Sequence, residues 1–211
     1  MTENLQREQI AELGKSLYDR GLAHGSAGNI SVRLEGGDWL LTPTNSCLGR
    51  LDPARISRLD GNGKLVSGDP PSKEAFLHLA MYQVRATSGA VVHLHSLHAV
   101  AVSCLAEVDP TDVFPPLTAY AIMQVGKLAL VPYYPPGDQA LADAVRKLAG
   151  RHHAVLLANH GPVVAGSSLT AAVNAIEELE QTAQLMLLLR GQPTRLLTSA
   201  QVAELNRRFP G

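Results

Sequence analysis

Apolar and polar positions divide the chain into alternating helical and extended stretches. Leu5, Ile10, Leu13 and Leu17 recur at helical spacing and predict a first helix that ends near Gly21. "HGSAGNISVRL" (24–34) reads as a glycine-bearing loop running into a strand. "DWLLTPTN" (38–45) is a second short strand closed by a proline turn. In "LDGNGKLVSGDPPS" (59–72), "GNG" marks a hairpin tip. Ser72 is the expected N-cap of a helix whose Phe76, Leu79, Ala80 and Val84 lie on one stripe.

"AVVHLH" (90–95) is the next strand, "SLHAVAVSCLAEV" (96–108) a helix and "LALVPYY" (128–134) a strand. "DQALADAVRKLAG" (138–150) predicts a helix capped by Asp138 and stopped by Gly150, with Leu141, Val145 and Leu148 inward. "HAVLLAN" and "PVVAG" are two strands separated by a short "HG" turn. A last long helix runs from about Leu169 to Arg190, with Ala172, Val173, Ile176, Leu179, Ala183, Met186 and Leu187 on its inward face. Strands interleaved with helices indicate an α/β domain, and the hairpin-like connections argue against an all-parallel sheet.

A chain of 211 residues supports one sizeable core, so a single domain over 1–211 is expected. The net charge of −1, with acids and bases interspersed, argues against a nucleic-acid or membrane-surface partner. Cys47 and Cys104 make no CxxC and read as reduced thiols of a cytoplasmic protein. The polar start "MTENLQREQ" has no signal-peptide core, and no apolar run reaches membrane-spanning length.

Three of the eight histidines fall between 93 and 98. Alternate residues of a strand share a face, so His93 and His95 point the same way and can reach one metal ion. The same pattern also fits a strand with two polar residues on its wet side. A catalytic metal needs a third ligand, and His160 in "ANHG", at a strand end, is the best candidate. A histidine there equally suits a turn. His98 is not excluded by spacing; His78 falls on the Leu77/Met81 side of its helix, and His24, His152 and His153 compete less well. In "PSKEAF", Ser72, Lys73 and Glu74 open a helix, where free N–H groups and the dipole suit a phosphate. Glu74 there fits either a solvated cap or a general base facing a metal.

Taken together, "HGSAGNIS", "LTPTN", "PSKE", "HLHS" and "ANHG" resemble, in order and spacing, the class II aldolase/adducin superfamily over about residues 8–190. The resemblance implies a three-layer α/β/α fold around a mostly antiparallel sheet, and a homotetramer. It implies a divalent metal on His93, His95 and His160, with Glu74 as acid/base; imidazole ligands make zinc the first expectation, with Mn, Co or Ni as alternatives. It implies that Asn29, Thr44, Asn45, Ser72 and Lys73 surround a substrate phosphate, and that Tyr120 enters a neighbouring subunit's site as proton donor. The aldolases of the superfamily read "TPSG" and "SSE" where this chain has "TPTN" and "SKE", so Asn45 and Lys73 alter the anion site. "PSKEAFLHLAMY" and "VPYYPPGD" are most similar to members that decarboxylate 3-oxo-tetronate 4-phosphates, which makes that the expected activity. Sugar-phosphate aldol cleavage and a non-catalytic adducin-like assembly module are the alternatives.

Overall fold

The computed structural model describes residues 2–135 and 137–209. Its frame is an eight-stranded sheet: β1 (Asn29–Arg33), β2 (Trp39–Leu41), β3 (Ser57–Leu59), β4 (Leu65–Ser67), β5 (Ala90–His93), β6 (Ala129–Val131), β7 (Ala154–Leu157) and β8 (Gly161–Gly166). The spatial order is β4-β3-β2-β1-β5-β8-β7-β6, and every neighbouring pair is antiparallel except β6 with β7. The expected three-layer architecture with a mostly antiparallel sheet is therefore what the chain forms. The helices are α1 (Glu3–Asp19), α2 (Ala75–Val84), α3 (Leu97–Ser103), α4 (Ala119–Gln124), α5 (Gln139–Ala149), α6 (Leu169–Leu188) and α7 (Ser199–Arg208).

Strand parity decides what each layer buries. Ile30 and Val32 of β1, with Val92 and Leu94 at β5, join Ile10 and Leu17 of α1, Val102 of α3 and the inward face of α6 in one core. Val91 of β5 and Val163 of β8 face the other way, onto Leu77 and Met81 of α2 and Leu141 and Val145 of α5. Asn29 and Ser31 share that second face and pair across the ladder with His93 and Val91. The sheet thus carries a polar strip at one end, aimed at the start of α2.

Several sequence expectations need correction. Ser72 does not cap α2: the cap position is Glu74, and Ser72 closes a preceding turn in which its carbonyl accepts from the Ala75 N–H. The helix therefore starts later and buries Leu77, His78, Ala80, Met81 and Tyr82, whereas Val84 is exposed and Phe76 and Leu79 are partly covered. In α1, Leu5 lies outward and Arg7 inward. The Arg7 guanidinium makes four hydrogen bonds, two to Glu3 and one each to the Pro53 and Ile56 carbonyls, which meets the demand of a buried charge. α7, where no element was expected, opens with a capping box between Thr198 and Gln201.

Candidate metal centre

β5 delivers His93 at its last paired position, and the chain leaves the sheet through Leu94 and His95. The β7–β8 turn brings His160 alongside. Two glycines permit this convergence. A Cβ at Gly161 would lie 2.3 Å from the Leu94 carbonyl oxygen, and one at Gly28 would lie 2.9 Å from that of His93. Gly28 also sits at φ +85°, a region that other residues enter only with strain.

The three imidazoles meet through their Nε2 atoms. His93 to His95 is 3.0 Å, His95 to His160 is 3.0 Å and His93 to His160 is 3.3 Å. Glu74 closes the fourth side, with Oε1 3.1 Å from His160 Nε2 and Oε2 3.5 Å from His93 Nε2. One ligand atom from each of the four residues falls within 4.8 Å of the others. The edge of a tetrahedron drawn about a cation at the usual zinc–nitrogen distance is about 3.3–3.4 Å, close to these spacings.

Tautomer and charge fit a cation at the same point. His93 Nδ1–H donates to the Pro162 carbonyl at 2.8 Å, so in its neutral form the ring turns a bare Nε2 lone pair inward. Burial pushes His95 down to about 3, helped by His93 and His160, so it too offers a lone pair. Burial acts to raise the Glu74 carboxyl, but His93, His160 and Asn29 outweigh it and hold the group well below the usual carboxylate range. Burial acts to lower His93, yet the Glu74 carboxylate raises it, so the buried pair calls for positive charge between its members.

The remaining expected site residues are gathered around this centre in part. Pro43 bridges to Pro71, Thr44 N–H donates to the Pro70 carbonyl and Ser72 N–H to that of Thr42. These bonds lay Thr44 and Asn45 beside Ser72 and Lys73. Asn45 has φ +57°, which explains how Asn replaces the family's Gly in "TPTN": it is among the residues that best tolerate left-handed backbone. Two of the first N–H groups of α2, on Ala75 and Leu77, are already bonded within the turn, so the helix start is less open to an anion than its sequence implies. The Asn29 amide donates to Glu74 Oε2 (2.7 Å) and Ser72 Oγ (3.2 Å). Tyr120 stands on α4, 61% exposed. His98 is not at the centre; its Nδ1 and backbone N–H both bond Glu180, whose carboxylate caps the start of α3. Ser31 was not singled out from sequence, and His78 was weighed only as a less favoured metal ligand on the Leu77/Met81 side of its helix, although it follows Glu74 by four residues.

With this geometry the comparisons with known proteins agree. The family described as Class II Aldolase and Adducin N-terminal domain matches residues 8–187, and the chain belongs to it. The chain is 49% identical to the 3-oxo-tetronate 4-phosphate decarboxylase of Escherichia coli strain K12 over 203 residues, 96% of each chain. It superposes on the crystal structure of YgbL from Escherichia coli with TM-score 0.95 and 48% identity, covering 96% of this chain and 98% of that one. It is also 38% identical to the L-fuculose phosphate aldolase of Methanococcus maripaludis strain C7 over 169 residues, 80% of this chain and 89% of the aldolase.

Proposed function

We propose that this chain is a divalent-metal-dependent carbon–carbon lyase that decarboxylates a 3-oxo-tetronate 4-phosphate, giving dihydroxyacetone phosphate and CO2. The observation that carries the choice is the 49% identity with a decarboxylase of that substrate across 96% of both chains. We further propose that the chain forms one domain and works in the cytoplasm. Among the described residues no helix is long and apolar enough to cross a membrane.

His93, His95 and His160 are the residues that would hold the ion, and zinc is the ion assigned; imidazole also accepts Mn, Co or Ni. When bound, the ion supplies a Lewis acid that draws electron density from the substrate carbonyl. The Ser72 and Thr44 hydroxyls, the Asn45 amide and the Lys73 ammonium take the phosphate, with Asn29 at the inner edge of that cradle. Anchoring the phosphate end leaves C1 free to depart. Heterolysis of the C1–C2 bond releases CO2, and its electron pair becomes the C2–C3 double bond of an enediolate. A proton delivered to C2 then gives dihydroxyacetone phosphate. Glu74, held ionised beside the centre, manages that proton through a water it orders.

Aldol cleavage of a ketose 1-phosphate would reach the same enediolate from a different leaving fragment, and the 38% identical aldolase favours this as the second reading. It needs a proton donor for the aldehyde oxygen. Tyr120, exposed on α4, serves if a neighbouring copy of a homotetramer presents it. The three histidines and Glu74 set the chain apart from a purely structural module. Metal-loaded protein offered both substrate types, with CO2 and aldehyde followed separately, tests the reading. CO2 from the oxo-tetronate phosphate is expected. Aldehyde from the ketose phosphate without CO2 from either oxo-tetronate epimer would promote the aldolase.

A further inference from the structure

Behind Glu74 lies a buried line of side chains that the reaction scheme leaves unused. His78 is fully buried on α2. Its Nε2 lies 2.5 Å from Asn29 Oδ1 and its Nδ1 lies 2.7 Å from Ser31 Oγ, which in turn is 2.8 Å from the Tyr82 hydroxyl. Donor and acceptor chemistry fixes every direction in the line. Asn29 Nδ2 lies 2.7 Å from Glu74 Oε2 and 3.2 Å from Ser72 Oγ, so the NH2 of the amide is the donor on that side. That orientation leaves Asn29 Oδ1 facing His78, so Nε2 carries the ring proton. Nδ1 is then a lone pair that takes the single Ser31 hydroxyl proton, and Tyr82 must donate to Ser31 Oγ. Burial and His93 push His78 down to about 3, which keeps the ring neutral in this tautomer.

An amide that flips would aim its oxygen at the carboxylate and repel it. The orientation of Asn29 therefore decides where Glu74 stands relative to the three Nε2 atoms. We infer that His78, locked in its Nε2–H tautomer by Ser31 and Tyr82, is a positioning residue that holds Asn29 and through it the Glu74 carboxylate in register with the metal centre. The inference rests on the proposed role of Glu74, but the network itself is observable without substrate.

The test has two arms on the metal-loaded protein. In the first, nitrogen-15 NMR of the histidine side chains reports the His78 tautomer in wild type and in Ser31→Ala. Nε2–H in wild type is expected, with loss of the single tautomer in the variant; an Nδ1–H wild type would overturn the proposal. In the second, kcat, KM and bound metal are measured for His78→Leu, His78→Gln and Ser31→Ala. Loss of an outer support of this kind lowers activity by about 10–100-fold. His78→Leu is expected to lower kcat on that scale with KM and metal content unchanged. His78→Gln, which keeps a donor near the Nε2 position, should restore most of it. If His78→Leu does not fold, Ser31→Ala carries the same expectation at the smaller end. Wild-type kcat in a folded, metal-loaded His78→Leu, or in Ser31→Ala, would also overturn it. A wild-type protein inactive on the oxo-tetronate phosphate but showing the Nε2–H tautomer would sink the substrate reading and leave the network standing.

Discussion

The two faces of β1 and β5 are built on opposite principles. On one, Ile30, Val32, Val92 and Leu94 are sealed against apolar side chains of α1, α3 and α6. On the other, Asn29, Ser31 and His93 are nearly as deeply buried but face His78, Tyr82 and Glu74. Burial is the same; what it does differs. The apolar face gains stability from area removed from water and tolerates changes of shape that keep the volume. The polar face gains little stability, because each group exchanges a bond to water for a bond to protein. Its return is orientation: the Glu74 carboxylate, the Asn29 amide and the His78 and His93 imidazoles are each held by a bonded partner.

That contrast can be broken from either side. The largest effect is expected at the centre. His95→Ala should strip the bound ion and abolish turnover while the fold remains, with elemental analysis and circular dichroism as the measurements. Retention of full metal would remove His95 from the ligand set. Glu74→Gln should keep fold and metal and lose turnover by roughly 10²–10⁴-fold, the scale of a positioned acid/base. One residue from His95 but on the other face, Leu94→Ala should do the reverse, costing about 2–5 kcal/mol in denaturant unfolding while metal stoichiometry holds.

The pH response sharpens the comparison further. His78 titrates near 3 when folded and near 6.5 when unfolded. Between those values the unfolded chain holds the proton and the native one does not, so stability contributed at His78 is present above about 6.5 and lost as the pH falls toward 3. Stability should therefore drop on acidification by up to about 1.4 kcal/mol per pH unit more in wild type than in His78→Gln. Leu94→Ala should leave that slope unchanged. The smallest effect is expected at Tyr120→Phe, which should leave metal binding and stability intact and reduce turnover only if a neighbouring copy supplies the hydroxyl. Sedimentation of a fully active monomer would remove it from the site.

Features governed by neighbouring residues were legible in the sequence. The runs at 90–95 and 153–166 gave the central strands, "GNG" gave the β3–β4 hairpin tip, and period-2 spacing put His93 and His95 on one face. Features set by distant partners were not. Arg7 is inward because Pro53 and Ile56 offer carbonyls from another segment. Ser72 looked like a cap because its pairing with the 42–44 segment, which spends its backbone on a turn, leaves no local trace. The stretch that forms β1 reads only as a strand after a glycine-bearing loop, since no local signal says that α2 will cover Asn29 and Ser31. The α7 capping box, by contrast, was present in the sequence as Thr198 followed three residues later by Gln201.

The centre also bears on how the chain folds. His93 and His160 are separated by 67 residues, and Asn29 reaches Glu74 across 45. No fragment spanning one hairpin contains the cluster. An ion that needs all three imidazoles binds only after the end of β5 and the β7–β8 turn have docked, and it has no comparable site in the unfolded ensemble. Its binding free energy is then added to the cooperativity of the whole domain, and a chelator acts as a denaturant that touches no part of the apolar core.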